Sequence, residues 1–345
     1  MPAAKIRNVI AMLAIGLCLG SAPAIAQAGG TAAADEAGKH AYETGNYDKA
    51  VETLKTVVAR EPDNGPAHHW LTRTYYEMHQ VDAAVAEGER TVALDPRNSV
   101  YRLWLGLTYG MKAEHAGPFF MGFFLARKTR KEFEEAVRLD PRNFDAQQDM
   151  IEFYCKAPGI VGGGEDKAQR AINELMRLDE AEGLFARASC SRAKKRYPQA
   201  DAEFEAALKA NPQRAAVLYE IADYHLERDG DRSETLQRIV GMAAAIDPAD
   251  PREQYYRGAI LVTQNARLEG AEQLLKNYIQ KAPLRRIGFP ERTLAETWLG
   301  RAYEQQGNHV AALEAYRAAL ADDSKNKTAR EALKRLEKAE RNRSK

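Results

Sequence analysis

The chain has 345 residues, with 50 basic and 49 acidic side chains and a formal net charge of +1, which gives no electrostatic reason to expect a nucleic-acid partner. Charged residues at 29% beside hydrophobic ones at 45% exclude a disordered polyelectrolyte. Alanine, leucine, glutamate, lysine and arginine dominate over β-branched residues, which points to an all-helical chain.

Lys5 and Arg7 precede an apolar run from Val9 to Leu19, and small residues follow at Ala24, Ala26 and Ala28. That is the layout of a secretory signal peptide over residues 1–28 with an Ala-x-Ala cleavage site. The apolar run is too short for the roughly 20 residues that a membrane-crossing helix needs, so the expectation is export, to a periplasm, with no stable membrane insertion after cleavage. An uncleaved anchor is the alternative. Leu17 before Cys18 does not suit lipidation.

Beyond the signal, large residues recur with a period of 34: Trp70 and Trp104, Tyr75 and Tyr109, Ala50 and Ala84, Pro62 and Pro96. A second register repeats inside the units, as Tyr47, Ala50, Leu54, Val57 and Pro62, then Tyr197, Ala200, Phe204, Ala207 and Pro212, then His309, Ala312, Tyr316, Ala319 and Ser324. Each unit reads as two helices. The first carries large residues one turn apart with a small one between, where a neighbour must approach. Gly45, Gly230 or Gly307 marks a turn that needs positive φ. The second helix offers alanine at its tightest contact and ends at Asp-Pro, as in Asp95-Pro96, Asp140-Pro141 and Asp247-Pro248.

These spacings resemble the tetratricopeptide repeat family over nearly everything after the signal. The resemblance implies an all-α, right-handed α-solenoid of stacked antiparallel helix pairs across 29–345. The units fall at about 31–64, 65–98, 99–143, 144–180, 181–214, 215–250, 251–290 and 293–326. A last helix over 328–341 has Ala329, Leu333, Leu336 and Ala339 on one face and basic residues elsewhere, as a solubilising cap does. The sixth and seventh units depart most from the pattern.

The third and fourth units carry extra residues. Pro96 to Pro141 spans 45 positions, with an insertion near Glu114–Phe124 that brings Phe119, Phe120, Phe123 and Phe124 together. We expect this cluster to extend the second helix and to pack partly against the next enlarged turn, Pro158–Gly164, as a self-contained packing device or as an aromatic ledge for a partner. The glycine run Gly162-Gly163-Gly164 is not a phosphate loop. Glu165 and Asp166 follow it where Lys-Ser/Thr is required, and carboxylates at a helix start repel phosphate. Asp166 reads as the N-cap of the helix that follows. The stretch Ala-Pro-Gly-x-x-Gly-Gly-Gly-x-Asp-Lys-Ala is similar to one in uncharacterised exported bacterial repeat proteins.

No sequence feature assembles chemistry. The seven histidines form no His-Glu-x-x-His or second ligand pair, no Gly-x-Ser-x-Gly is present, and the paired carboxylates sit as solvated surface. The expectation is therefore no metal, no cofactor and no enzyme activity. Cys155 and Cys190 fall in first helices of adjacent units, about two positions apart in the repeat frame. That offset aims the sulfurs apart and favours free buried thiols, with pairing in an oxidising compartment as the alternative.

In the resembled family the first helices line a concave groove that binds proteins or peptides. The positions that match are Lys39, Tyr42, His69, Arg73, Tyr76, Leu103, Leu107, Met111, Phe185, Arg192 and Arg301, with Asp35, Glu43, Glu77, Gln148, Glu152, Thr297 and Glu304 beside them. Members that clamp a terminal carboxylate use Lys and Asn there, and no Asn occupies these positions. Two functions follow: an exported scaffold or adaptor binding a protein or peptide in the groove, or an enzyme or regulator with its activity in the irregular sixth and seventh units. Converging ionisable groups there would speak for the second.

Overall fold

The four-residue sequence Asp-Pro-Arg-Asn occurs twice, and each time it makes the same corner. Asp95 stops one helix, its carboxylate accepts from the Arg97 N–H at 3.2 Å, and the Asn98 side chain then caps the next helix. Asp140, Arg142 and Asn143 repeat the arrangement, with the Arg142 N–H 2.9 Å from the Asp140 carboxylate. Such corners let one helix end and the next begin without leaving the terminal N–H groups unpaired.

The computed structural model of the protein describes residues 22–117, 119–228, 232–282 and 285–343. The signal-like segment 1–21 and the turn residue Gly230 lie outside them. The described chain is helical hairpins throughout: α1 (Ala22–Glu43) with α2 (Tyr47–Arg60), α3 (Gly65–Glu77) with α4 (Val81–Leu94), α5 (Ser99–Glu114) with α6 (Phe119–Leu139), and α7 (Phe144–Lys156) with α8 (Glu165–Leu178). Then come α9 (Glu180–Ala193) with α10 (Tyr197–Lys209), α11 (Ala215–Leu226) with α12 (Ser233–Ile246), α13 (Arg252–Thr263) with α14 (Leu268–Lys281), and α15 (Arg292–Gln305) with α16 (His309–Asp322). A last helix, α17 (Lys327–Arg343), covers the end with Ala329, Ala332 and Leu336 buried against its neighbours. This is the all-α tetratricopeptide-type solenoid that the spacing predicts.

Within hairpins the turn takes one left-handed residue. Gly45 and Gly307 supply it at φ 76° and 77°, while His79, Lys195 and Asn265 hold the same position in three other units. Small residues set the distance between helices. Ala50, Ala84, Ala200 and Ala312 are fully buried, as their register requires. A Cβ built on Gly106 of α5 would lie 2.6 Å from the Phe133 ring of α6, and one on Gly300 of α15 would lie 2.6 Å from Tyr316 of α16.

One expectation about the enlarged units changes. Asp166 is not the N-cap of α8: Gly164, at φ 148°, takes that place, and Asp166 sits in the first turn. The glycine run lets the chain fold back so that the Gly164 N–H reaches the Tyr154 carbonyl at 2.9 Å, which ends the loop two residues earlier. The insertion in the third unit does extend the second helix, since α6 starts at Phe119 and runs 21 residues. It meets the glycine loop through Arg130, whose guanidinium lies over Gly162. Phe120 and Phe124 point outward at 60% and 61% exposure, and Phe123 is half-buried with Arg127 over its ring.

Cys155 and Cys190 are joined, contrary to the free thiols that their frame offset favours, with Cα atoms 5.6 Å apart. The reason is packing: α7 and α9 lie directly against each other, so a half-turn offset is absorbed by the approach of the two helices. The bridge closes a loop of 35 residues, for which chain entropy gives about 3–4 kcal/mol. Cys190→Ser is expected to lower unfolding stability by about that amount in non-reducing urea titrations, and to differ little from wild type once reductant is added. Gly300→Ala is expected to cost about 1–3 kcal/mol in the same titration, because the new methyl group lands on the Tyr316 ring.

Candidate functional site

Curvature follows from which helices touch. The first helices of several successive units approach one another (α1 with α3, α3 with α5, α5 with α7, α7 with α9, α13 with α15), while second helices do not do so to the same degree. First helices therefore form the tighter, concave wall.

On that wall, α3 places Trp70, Arg73 and Glu77 on one stripe, at i, i+3 and i+7. The Arg73 guanidinium lies 4.8 Å from the ring centre of Tyr42, 4.6 Å from Trp70 and 4.5 Å from Trp104, so aromatic faces from three units enclose it. Its Nε finds no hydrogen-bond acceptor, and the ring faces are its compensation. Tyr76 stands edge-on to Trp104 with centres 5.7 Å apart. His69, between Trp104 and Tyr101, is held neutral by burial and by the Arg73 charge, its pKa lowered to about 3. Glu77 is buried, which raises its carboxyl above the usual range. The Tyr42 hydroxyl donates to it at 3.2 Å, and the Ile287 N–H donates to it at 3.0 Å.

Ile287 belongs to the segment between α14 and α15, more than 200 residues away in sequence. The same segment accepts a hydrogen bond from Tyr47 at the Arg285 carbonyl, and Arg286 donates to the Glu43 carbonyl at 3.4 Å. The solenoid thus turns far enough for its seventh connection to reach the first two units. Nothing in the 34-residue register signals this contact. The one hint is the length of the seventh unit, whose surplus reads Arg285-Arg286-Ile287-Gly288-Phe289.

The other groove positions divide by burial. His69, Leu103, Met111 and Phe185 are buried, so their side chains pack between units and shape the wall from behind, and the equally buried Tyr42 closes the ring cluster around Arg73. Lys39, Arg73, Tyr76, Leu107 and Arg192 are half-buried, and Arg301 is exposed beside the Trp298 ring. Further along the wall, Asp149, Glu152, Glu220 and Asp223 gather carboxylates from α7 and α11. Burial and neighbouring negative charge raise Asp149 well above its usual range. Glu220 is open at its own surface, but the concave wall around it displaces bulk water and pushes it up to about 7; Glu152 and Asp223 push the same way, against Arg192 and Arg214. Asp223 is pushed up to about 6 by burial, opposed by a 2.7 Å hydrogen bond from Tyr256.

A separate cavity of about 240 Å³ lies where the sixth, seventh and eighth units meet, with His225, Arg228, Arg232, Trp298 and Arg301 among its lining. Arg232 donates to His225 Nδ1 at 3.0 Å, so the neutral ring carries its proton on Nε2. The lining Thr263 hydroxyl donates back to the Ala259 carbonyl. The ionisable groups lining it are His225, Arg228, Arg232 and Arg301, and the Arg232 guanidinium is paired with Asp201 at 2.9 Å. Among the described residues no three or more His, Cys, Asp or Glu side chains are grouped to hold a metal ion, and no helix is long and apolar enough to cross a membrane.

Tetratricopeptide repeat family profiles match residues 41–104 and 257–327. No curated protein matches the sequence. Among solved structures, a thermophilic tetratricopeptide-repeat protein of Thermus thermophilus is 22% identical, covering 57% of this chain and 99% of its own, with a TM-score of 0.46. A tetratricopeptide-repeat protein of Parabacteroides merdae is 12% identical, covering 89% and 98%, with a TM-score of 0.39. Likenesses of this size carry no function across. These two stretches carry tetratricopeptide repeats, which suggest a protein-interaction scaffold.

Carboxylates with raised folded pKa values keep protons that the unfolded chain releases, so their contribution favours the folded state at low pH and is lost as pH rises toward 7. His69 and His225 act in the opposite sense, since both are held neutral in the fold. The difference between Glu220→Gln and wild type isolates the carboxylate. Urea titrations from pH 5 to pH 8 are expected to show the variant gaining stability relative to wild type as pH rises, and a constant difference would disprove the desolvated state of Glu220.

Proposed function

We propose that the protein is an exported, non-enzymatic adaptor that holds an extended segment of another protein against the first helices of its N-terminal units. The observation that carries this reading is the wall formed by Tyr42, Trp70, Arg73, Tyr76, Glu77 and Trp104. It combines rigid aromatic faces, which bind with little loss of side-chain freedom, with a buried carboxylate that needs hydrogen-bond donors. That combination suits main-chain N–H groups and cations presented by an extended chain. The half-buried Lys39 and Leu107 border the same wall.

Export to the cell envelope is supported by the basic, apolar and small-residue order of residues 5–28. The Cys155–Cys190 bridge fits the same compartment, since structural disulfides persist where conditions oxidise. Cleavage after Ala26 or Ala28 would trim the start of α1 and leave Asp35, Lys39 and Tyr42 in place.

Affinity purification from envelope extracts, with wild type and Arg73→Glu as paired baits, tests the adaptor reading. Aromatic faces repel a carboxylate, so the substitution is expected to open the ring cluster at the centre of the wall and abolish capture of the main partner, while the helical circular dichroism spectrum stays unchanged. Equal capture by both would place partner binding elsewhere. Terminal sequencing of the native protein is expected to begin at Gln27 or Gly29, and recovery of intact Met1 in the cytosol would end the export half.

A further inference from the structure

We propose that the segment Arg285–Ile287 is a built-in occupant of the N-terminal groove, and that the guest it gives way to is an extended segment of like chemistry, an arginine followed by an apolar residue. The inference rests on the groove reading above and specifies its ligand.

The contacts made by the segment are those of a bound peptide. On its side most of the polar groups are main chain: the Arg285 carbonyl accepts from Tyr47, and the Ile287 N–H donates to Glu77 at 3.0 Å. Of its side chains, the Arg286 guanidinium reaches the Glu43 carbonyl at 3.4 Å and lies 5.9 Å from the Tyr42 ring centre, and the Arg285 charge bears on His79. The Ile287 side chain stays 44% exposed, so the contact does not serve to build a core. Polar main-chain contacts with little apolar burial make a seat that can be vacated.

The root of the segment is built differently. Buried Arg252, paired with Asp250, donates to the Gly288 carbonyl at 2.8 Å and stacks on Phe289 at 4.6 Å, and Tyr278 donates to the Pro290 carbonyl at 2.5 Å. The base is thus fixed to its own units, while the tip reaches across to foreign ones. Release of the tip leaves the hairpin core intact and exposes Glu77, a buried carboxylate that has then lost one of its two donors. A guest that offers an N–H there and a cation near Tyr42 and the Glu43 carbonyl restores what the tip supplied.

The test uses the full mature chain and two synthetic peptides, acetyl-Leu-Arg-Arg-Ile-Gly-Phe-amide and the same peptide with its second arginine replaced by alanine. Binding is read by isothermal titration calorimetry. Ile287→Pro removes the N–H that Glu77 accepts from, and Arg286→Ala, which leaves the backbone unrestricted, serves as the second opened form should the proline variant not fold. An opened variant is expected to bind the first peptide at least tenfold more tightly than wild type, and the alanine peptide at least tenfold more weakly than the first. Equal affinity of wild type and opened variants for the arginine peptide overturns the occupancy. If the opened variants prefer neither peptide while Arg73-dependent capture of the envelope partner persists, the ligand class is wrong and the groove reading survives. Loss of both peptide binding and that capture would remove the groove reading itself.

Discussion

The close approach of paired helices, fixed by a residue with little or no side chain facing a large one, is the constraint on which the rest of the protein depends. Gly38 against Leu54, Gly106 against Phe133 and Gly300 against Tyr316 are such contacts, and the fully buried alanines of the second helices are another form. A hairpin alone cannot hide its apolar stripe, so each unit is completed by the next and the last by α17. Stability is therefore distributed along the chain, and the inner wall is free to carry residues chosen for something other than packing.

That freedom explains the composition of the wall. Buried positions such as Leu103, Met111 and Phe185 hold units together from behind, while Arg73, Tyr76 and Glu77 face inward, where a globular protein would place few charges. A guanidinium among three rings is stable because ring faces replace part of the lost hydration. A buried carboxylate is stable only while donors reach it, and here one donor comes from the distant Ile287. The groove and the seventh connection are thus energetically linked, although the repeat pattern treats them as unrelated.

The two enlarged turns show how an irregular insertion is tolerated in a regular array. The third unit absorbs its surplus by lengthening α6 at the start, which leaves Phe120 and Phe124 outside the hairpin core. The fourth absorbs its surplus in a glycine loop whose backbone folds onto Tyr154 and under Arg130. The disulfide between α7 and α9 lies at the same place in the array and ties these two units covalently.

The sequence by itself determined the elements and their order, because the signals are local: asparagine and aspartate at helix starts, Asp-Pro at helix ends, glycine where φ must be positive, and alanine at a fixed offset from each turn. It also determined which helix faces are apolar, since a 34-residue period repeats the same stripe. It could not determine which inward-facing candidates are open to a guest. Tyr42 and Tyr76 occupy equivalent positions, yet one is buried and the other half-exposed, according to how neighbouring units lean. Only the tertiary structure decided that Cys155 and Cys190 pair, that aromatic residues of three units converge on Arg73, and that Ile287 reaches Glu77. Small rotations between units accumulate into curvature, and curvature, which no local signal encodes, sets the contacts between residues far apart in the chain.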